Sequence, residues 1–564
     1  MRIDDGLLLR RLLLLPLLFV PGTVMAQEHP IKLAAEALFS VKADAAVKEL
    51  TDGRGENSSS HIARMNWVPE SEQPQAYVAT RPITHLGWKE IAISFTPRHA
   101  GNVTLELYGP WERAPGADIY RQEVWWDDVR VTGAELKNGG FEQALDAPES
   151  SWKSTAAVRV AATNELAAAE GKYLAKTWHN ERMVCALAVT GGKTVTVSAK
   201  VRSVKPSSFT EMKQISTRDT PAHQATKRLR RGVNFGNYLE VPPGQNWAVN
   251  HTDEDFAQIQ RAGFDHVRLP IGWHHYAGVG PEFKLSDEIF AKVDQHVAQA
   301  RQHQLSIIIN IHHFDDFTTD PVKHRDKFVA IWKQIAEHYA QAPDTVFFEL
   351  LNEPKDALTT AVLNPIFGDV IRQIRRSNPR RTLLVGPGKW NSVSELVNLQ
   401  LPDDDQNLIV TVHNYDPFRF THQGAAWAGP ELAVKGIRFP GPPTKPLVPD
   451  PSLAVSADVR DWITRYNSSP GATNPCSAAA LNAVVDQAKE WAEYYGRPMH
   501  FGEFGAFLEI DDESRANYIR AFRTAFDEAD LGWALWDWKA QFRYWDADHN
   551  RPVPGFQEAL FPKR

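Results

Sequence analysis

Cysteine is nearly missing: 564 residues contain two, Cys185 and Cys476. That scarcity, with the pair far apart, excludes a disulfide framework as the source of stability, so core burial must supply it. Basic excess is missing too. Lys and Arg number 62 against 69 Asp and Glu, for a net charge of −7, and no long block of one sign occurs, so the electrostatic footprint of a nucleic-acid binder is absent. After the first 20 residues no apolar run approaches the roughly 20 residues that cross a bilayer. What is abundant is aromatic surface, with 18 Trp, 13 Tyr and 27 Phe. Flat rings with a polar edge serve cores and also sugar faces, which fits a neutral or weakly polar partner.

The N-terminus is organised for export. Arg2, Arg10 and Arg11 precede the apolar run "LLLLPLLFV", and Val24 and Ala26 in "VMA" have the small side chains of a cleavage site. Residues 1–26 therefore read as a signal peptide cut after Ala26. The mature chain is expected to be secreted or periplasmic, free of the membrane, and monomeric.

Three further regions follow. Residues 27–50 form a short N-terminal segment whose apolar spacing of three and four in "AAEALFSVKADAAVKEL" suggests a helix. From 51 to 203 short alternating runs such as "EIAISFTP", "NVTLELYG" and "KTVTVSAKVRSV" are separated by Gly, Pro and Asn turns, the pattern of an antiparallel sandwich. "NGGFE" at 138–142, Trp152 and "WWDDVRV" at 125–131 resemble pieces of jelly-roll carbohydrate-binding modules. The resemblance implies a sugar-binding role; a structural sandwich packed on the next domain explains the same residues equally well. Residues 204–229 are polar and aperiodic, as a linker would be.

After Leu229 the rhythm changes to alternating strands and amphipathic segments. Apolar runs occur at 231–236, 266–271, 306–312, 345–351, 382–387, 408–415, 499–505 and 532–538. Continuous apolar strands imply burial on both faces, and eight of them point to a (β/α)8 barrel over 230–564. An open doubly wound sheet is disfavoured, because no Gly-rich phosphate loop follows the first strand.

In such a barrel the carboxyl ends of the strands face the site. Polar residues interrupt the apolar runs there: Asn237, Arg268, His312 and His313, Asn352 and Glu353, His413 and Tyr415, Glu503, and Trp536. Two carboxylates facing each other from the fourth and seventh strands suit glycoside hydrolysis. One protonates the departing oxygen while the other attacks the anomeric carbon or activates water. The His312–His313 pair raises metal binding, but neighbours on a regular strand point to opposite faces and no third ligand has the usual spacing. Trp533 and Trp538 alternate with the site-facing position and read as packing.

Seven motifs in order, "RGVNFGN", "HVRLPIGW", "NIHHF", "FELLNEP", "VHNYDPFRFTHQGAAW", "HFGEFGAF" and "WALWDW", resemble the catalytic domain of glycoside hydrolase family 5, in its endo-β-1,4-glucanase-like branch. The resemblance implies retention by double displacement, without metal or cofactor, on a β-linked polysaccharide. It implies Glu353 as acid/base and Glu503 as nucleophile, with Arg268 and Tyr415 hydrogen-bonding the nucleophile. It further implies Asn352 on the sugar 2-hydroxyl, His413 beside the acid/base, His312 and His313 at the −1 subsite and Trp536 beneath the −1 sugar. Trp427, Asn237 and Glu240 are expected further along the cleft. Mannan, xyloglucan or mixed-linkage glucan are alternative substrates, and a non-catalytic polysaccharide binder or a metal-dependent hydrolase are alternatives in other classes. Residues 429–479 read as a long connection without clear structure on the catalytic face, able to lengthen or close the cleft.

Overall fold

The computed structural model describes residues 35–43, 50–52, 63–65, 76–97, 99–109, 123–153, 158–163, 167–203, 211–247, 249–469, 471 and 474–562. The leader, residues 1–26, lies outside them.

The N-terminal half is a sandwich of two six-stranded sheets. Its strands are β1 (Ala35–Ala43), β2 (Leu50–Asp52), β3 (Ala63–Met65), β4 (Ala76–Ile83), β5 (Lys89–Pro97) and β6 (Gly101–Tyr108), then β7 (Val124–Thr132), β8 (Trp152–Lys153), β9 (Val158–Ala161), β10 (Tyr173–Thr177), β11 (Met183–Val189) and β12 (Val195–Ser203). One sheet runs β3-β4-β1-β6-β11-β8 and the other β2-β5-β12-β7-β10-β9. Strict alternation builds the core. Ile91, Ile93 and Phe95 on β5, Val103, Leu105 and Leu107 on β6, and Val195, Val197 and Val201 on β12 all face inward and join one buried cluster.

The helix expected within 27–50 is not found among the described residues of that stretch, 35–43 and Leu50. Residues 35–43 are a strand that pairs antiparallel with both β4 and β1's other neighbour, β6. Two ladders of backbone hydrogen bonds outweigh the weak helical preference of an Ala-rich stretch.

The C-terminal half is a closed parallel barrel of β13 (Arg231–Asn234), β14 (His266–Leu269), β15 (Ser306–Asn310), β16 (Val346–Glu349), β17 (Leu383–Val385), β18 (Leu408–His413), β19 (Met499–Phe504) and β20 (Gly532–Leu535). Every residue of β15, β16, β18 and β19 is buried, as the unbroken apolar runs require. The surrounding helices are amphipathic and well capped. Asp253–Ala262, for example, begins with a Thr252–Asp255 capping box and ends on Gly263 at φ 106°.

Two stretches read as irregular have definite structure. The described part of the linker contains a helix, Pro221–Thr226, whose Ala222 and Ala225 pack with Leu229 against Ile308, Phe347, Leu384 and Ile409 of four barrel strands. This helix closes the amino-terminal end of the barrel. The rest of the segment is laced to its flank, with Lys213 N–H donating to Asp403 at 2.7 Å and Ile215 N–H to the Tyr495 carbonyl at 2.9 Å. Polar composition hid this, because burial here is decided by a distant surface. The 429–479 connection likewise holds a helix, Ala457–Ser468, that buries Val459, Trp462, Ile463 and Tyr466. It is pinned by Tyr466 Oη accepting from Arg438 N–H at 2.7 Å and by Gln423, which both donates to and accepts from the backbone of Ile437.

The two halves meet at the helix Ala478–Tyr495. Lys89 pairs with Glu490 at 2.9 Å, Leu86 joins the barrel's hydrophobic cluster, and His85 packs edge-on to Tyr494. Both cysteines are buried free thiols, one in each half.

Leu229→Ala removes the anchor of the closing helix and is expected to lower stability by about 2–5 kcal/mol, the range for a buried leucine. Denaturant unfolding of the full chain checks this; an unchanged midpoint would mean that the helix does not seal the barrel.

Candidate active site

The site begins with Arg268, which is fully buried on β14. A guanidinium has five N–H groups, and all five are used. Nε donates to Glu349 Oε2 at 2.6 Å and Nη2 to Glu349 Oε1 at 2.7 Å. Nη1 donates to Asn234 Oδ1 at 2.9 Å and to Glu503 Oε1 at 2.7 Å. The second Nη2 hydrogen reaches Asn352 Oδ1 at 2.7 Å. Four residues, on β13, β16 and β19 and just past the end of β16, are thereby tied to one planar cation on β14. Asn234 is itself held by donating Nδ2 to the carbonyls of Gly502 and Leu535, at 3.0 and 3.2 Å.

Glu503 and Glu353 sit in contrasting settings. Glu503 accepts from Arg268 and, through Oε2, from the Tyr415 hydroxyl at 2.8 Å. Burial pushes its pKa up, while His413, Arg268 and Tyr415 pull it back. Two strong donors favour its charged form. Glu353 has one side-chain partner, His413 Nδ1 at 2.9 Å, and keeps 17% of its side chain exposed. Burial also raises its pKa, the like charge of Glu349 adds to the rise, and His313 and Arg268 oppose it. One carboxylate is thus suited to stay ionised and the other to carry a proton. An oxygen of each lies within 4.8 Å of the other.

The backbone of Glu353 is strained into position at φ 44°. Its N–H donates to Asn391 Oδ1 at 2.6 Å, and Trp390 N–H donates to the Pro354 carbonyl at 3.0 Å. Lys389, Trp390 and Asn391 all have φ between 54° and 57°, a left-handed turn after β17 that clasps the segment carrying Glu353.

The other residues singled out in the sequence fall into place around this pair. Burial lowers the His413 pKa to about 4, so the ring is neutral. Its Nε2 has no partner among the described residues, which favours the tautomer with the proton on Nδ1, donating to Glu353. Asn352 is oriented by Arg268 through Oδ1, and its buried Nδ2 has no protein partner among the described residues. His312 stacks parallel to Trp536 at 5.8 Å. The Trp536 ring lies so close over Gly236 that a Cβ there would be 2.8 Å from it. Asn237 and Glu240 come together at the end of β13: the N–H groups of Asn237 and Tyr238 both donate to the Glu240 carboxylate. Burial pushes that carboxylate up to about 7. Trp427 is 62% exposed and meets His422, which in turn meets Tyr415. Trp533 and Trp538 are fully buried packing residues.

One expectation about geometry is corrected. His312 and His313 do not point to opposite faces; their ring centroids are 4.1 Å apart. β15 ends at Asn310, and His313 adopts φ 48°, so strand alternation no longer applies. Glu349, Asn234, Asn391 and His422 were missed. Glu349 had a signal, being the single charge inside the apolar run "TVFFELL".

Glu353, His413 and Glu503 also have the composition of a three-ligand metal site. Their atoms are already committed, however: the His413 nitrogen to Glu353, and both Glu503 oxygens to Arg268 and Tyr415. With one Glu503 oxygen accepting from a buried guanidinium and the other from a hydroxyl, the donor set fits a proton-transfer pair better than a resident ion.

Replacing Arg268 with Leu strands two buried carboxylates and is expected to cost about 3–5 kcal/mol at neutral pH. Without Arg268, burial acts on Glu503 unopposed by its strongest donor and raises its folded pKa further. The loss is therefore largest above that pKa and shrinks as pH falls. Unfolding curves at pH 7 and pH 5 check this; an equal loss at both would show that shape, rather than charge, is what Arg268 supplies.

Comparison with known proteins agrees with this geometry. Residues 230–542 match the family model described as Cellulase (glycosyl hydrolase family 5). The chain is 30% identical over 373 residues to Endoglucanase 3 of Fibrobacter succinogenes, covering 62% of this chain and 55% of that protein. It is 27% identical over 314 residues to Endoglucanase H of Acetivibrio thermocellus, covering 56% of this chain and 30% of that one. It thus spans about half or less of those relatives' length. The solved structure of endoglucanase Cel5A from Thermotoga maritima matches with a TM-score of 0.53 at 33% identity, over 61% of this chain and all of that one. A complex of the same enzyme with mannotriose matches over the same shares with a TM-score of 0.52 at 32% identity. The match to the family model takes in more than half of the residues, an eight-stranded parallel barrel carries it, and the chain belongs to the cellulase family, glycosyl hydrolase family 5.

Proposed function

We propose that the protein is an exported endo-β-1,4-glucanase that cleaves internal bonds of a β-glucan with retention of configuration, using Glu503 as nucleophile and Glu353 as acid/base. The observation that carries this reading is the pair of carboxylates within 4.8 Å, one held by two cationic or hydroxyl donors and the other by a single neutral imidazole. A short separation leaves no room for a water between the attacking carboxylate and the sugar, which is the retaining arrangement.

In the first step the Glu503 carboxylate attacks the anomeric carbon, the glycosidic bond breaks, and the Glu353 proton passes to the leaving oxygen. The result is a glycosyl ester on Glu503. That ester carries no charge, so the like charge opposing ionisation of Glu353 disappears and the residue becomes a base. It then takes a proton from water, which attacks the same carbon and frees Glu503. In this reading Asn352 Nδ2, which has no partner among the described residues, donates to the sugar 2-hydroxyl, a contact that strengthens at the transition state. The Trp536 face offers an apolar platform beneath the −1 sugar, with His312 and His313 bordering it. Glu240, Asn237 and the exposed Trp427 serve sugars further along the cleft. No metal or cofactor takes part, and chelators are expected to leave the rate unchanged.

A second reading keeps the mechanism and changes the polymer. The Thermotoga maritima relative has been solved with mannotriose described as its substrate, which makes mannan the first alternative. The sandwich is proposed as a support that docks on the barrel rather than as a sugar-binding module. Trp126, Asp127 and Trp152, which carried the resemblance to such modules, are buried, and the Asp127 carboxylate accepts from the N–H groups of Asp128 and Glu170.

Reducing-end release from carboxymethyl cellulose, mixed-linkage glucan and galactomannan tests the assignment. Release from the glucans that vanishes in Glu503→Gln is the expected result. Glu353→Gln should lose roughly 10²–10⁴ in rate on the same polymers. Release from galactomannan alone would overturn the substrate while keeping the mechanism, and full activity in Glu503→Gln would overturn the mechanism.

A further inference from the structure

Glu349 is fully buried, and both of its oxygens are spent on Arg268. It cannot touch a sugar. Yet a carboxylate inside a closed barrel is costly unless it answers a charge that nothing else answers. Arg268 already has Glu503 at 2.7 Å, so in the resting site the second carboxylate looks redundant. The redundancy ends during turnover. When Glu503 becomes a glycosyl ester its charge is gone, and Glu349 is then the one ionised carboxylate still hydrogen-bonded to Arg268, which has no surface in water.

Resting on the proposed role of Glu503 as nucleophile, we propose that Glu349 is a positioning residue. By gripping Arg268 on two nitrogens it aims the guanidinium at Glu503, shares its charge, and keeps that cation compensated while the nucleophile is esterified. The titratable and charged groups facing this pair are Glu503, Glu353, Tyr415, His312, His313, His413 and His500. Burial keeps His312, His413 and His500 neutral, so among them the carboxylates alone supply negative charge to Arg268. The register supports the aim: Glu349 pairs across the sheet with Asn310, and Arg268 with Ile308 two residues earlier, so the two side chains meet inside the barrel across one intervening strand.

The test compares wild type, Glu349→Gln, Glu349→Asp and Glu503→Gln with dinitrophenyl β-cellobioside. Its leaving group needs no acid, so kcat/KM reports formation of the ester. In Glu349→Gln the rate on the plateau is expected to fall by up to roughly a hundredfold, as for a misplaced nucleophile. Arg268 then acts undivided on Glu503 and makes it easier to ionise, so the acid limb of the kcat/KM profile moves to lower pH, by on the order of one unit. Glu349→Asp keeps the charge and should leave that limb in place while lowering the plateau. A Glu349→Gln enzyme that is folded and merely less active at every pH, with the limb unmoved, overturns the proposal and leaves a structural ion pair. If Glu349→Gln does not fold, Glu349→Asp decides, and a wild-type plateau in it overturns the proposal. Activity retained by Glu503→Gln would instead show that the nucleophile itself was misassigned.

Discussion

A guanidinium with no surface in water must have every hydrogen and its whole charge answered by protein, and Arg268 meets that requirement with Glu349, Glu503, Asn234 and Asn352. The rest of the site depends on this one constraint. It fixes the oxygen of the Asn352 amide and so turns its nitrogen outward. It gives Glu503, and not Glu353, a guanidinium donor. It also ties β13, β14, β16 and β19 together at the level where the strands end, which is where a barrel presents chemistry. Removing water from the pair strengthens these interactions and makes their loss costly.

The barrel supplies what Arg268 cannot. Glu353 reaches its place through a backbone at φ 44°, held by Asn391 from the next strand's loop. Trp536 reaches its place because Gly236 has no side chain to push it away. Both are cases of strain or close approach held by the surrounding structure, and both occur at residues that bear on the chemistry. Beneath them, the short helix Pro221–Thr226 seals the opposite end of the barrel.

Much of this was legible in the sequence, for identifiable reasons. Parallel strands are buried on both faces, so their apolar runs stand out, and the polar residues that end them mark the site; Glu353, Glu503, Arg268, Tyr415 and His413 were all found that way. Glu349 was not, because its meaning lies in a partner 81 positions away and a single charge inside an apolar run has no local explanation. The closing helix was hidden for a similar reason: its burial is dictated by the barrel floor, and its own composition is polar. The strand at 35–43 and the facing rings of His312 and His313 depended on pairing and on a backbone angle, neither of which apolar spacing reports.

Two carboxylates differentiated by Arg268 and Tyr415 are proposed to act by double displacement. Proton NMR of the first sugar released from a cellooligosaccharide, recorded before the anomers equilibrate, tests it directly. The β-anomer is expected, as the product of two successive inversions at the same carbon. Initial release of the α-anomer would contradict it, because a single displacement by water would then be the chemistry of the site.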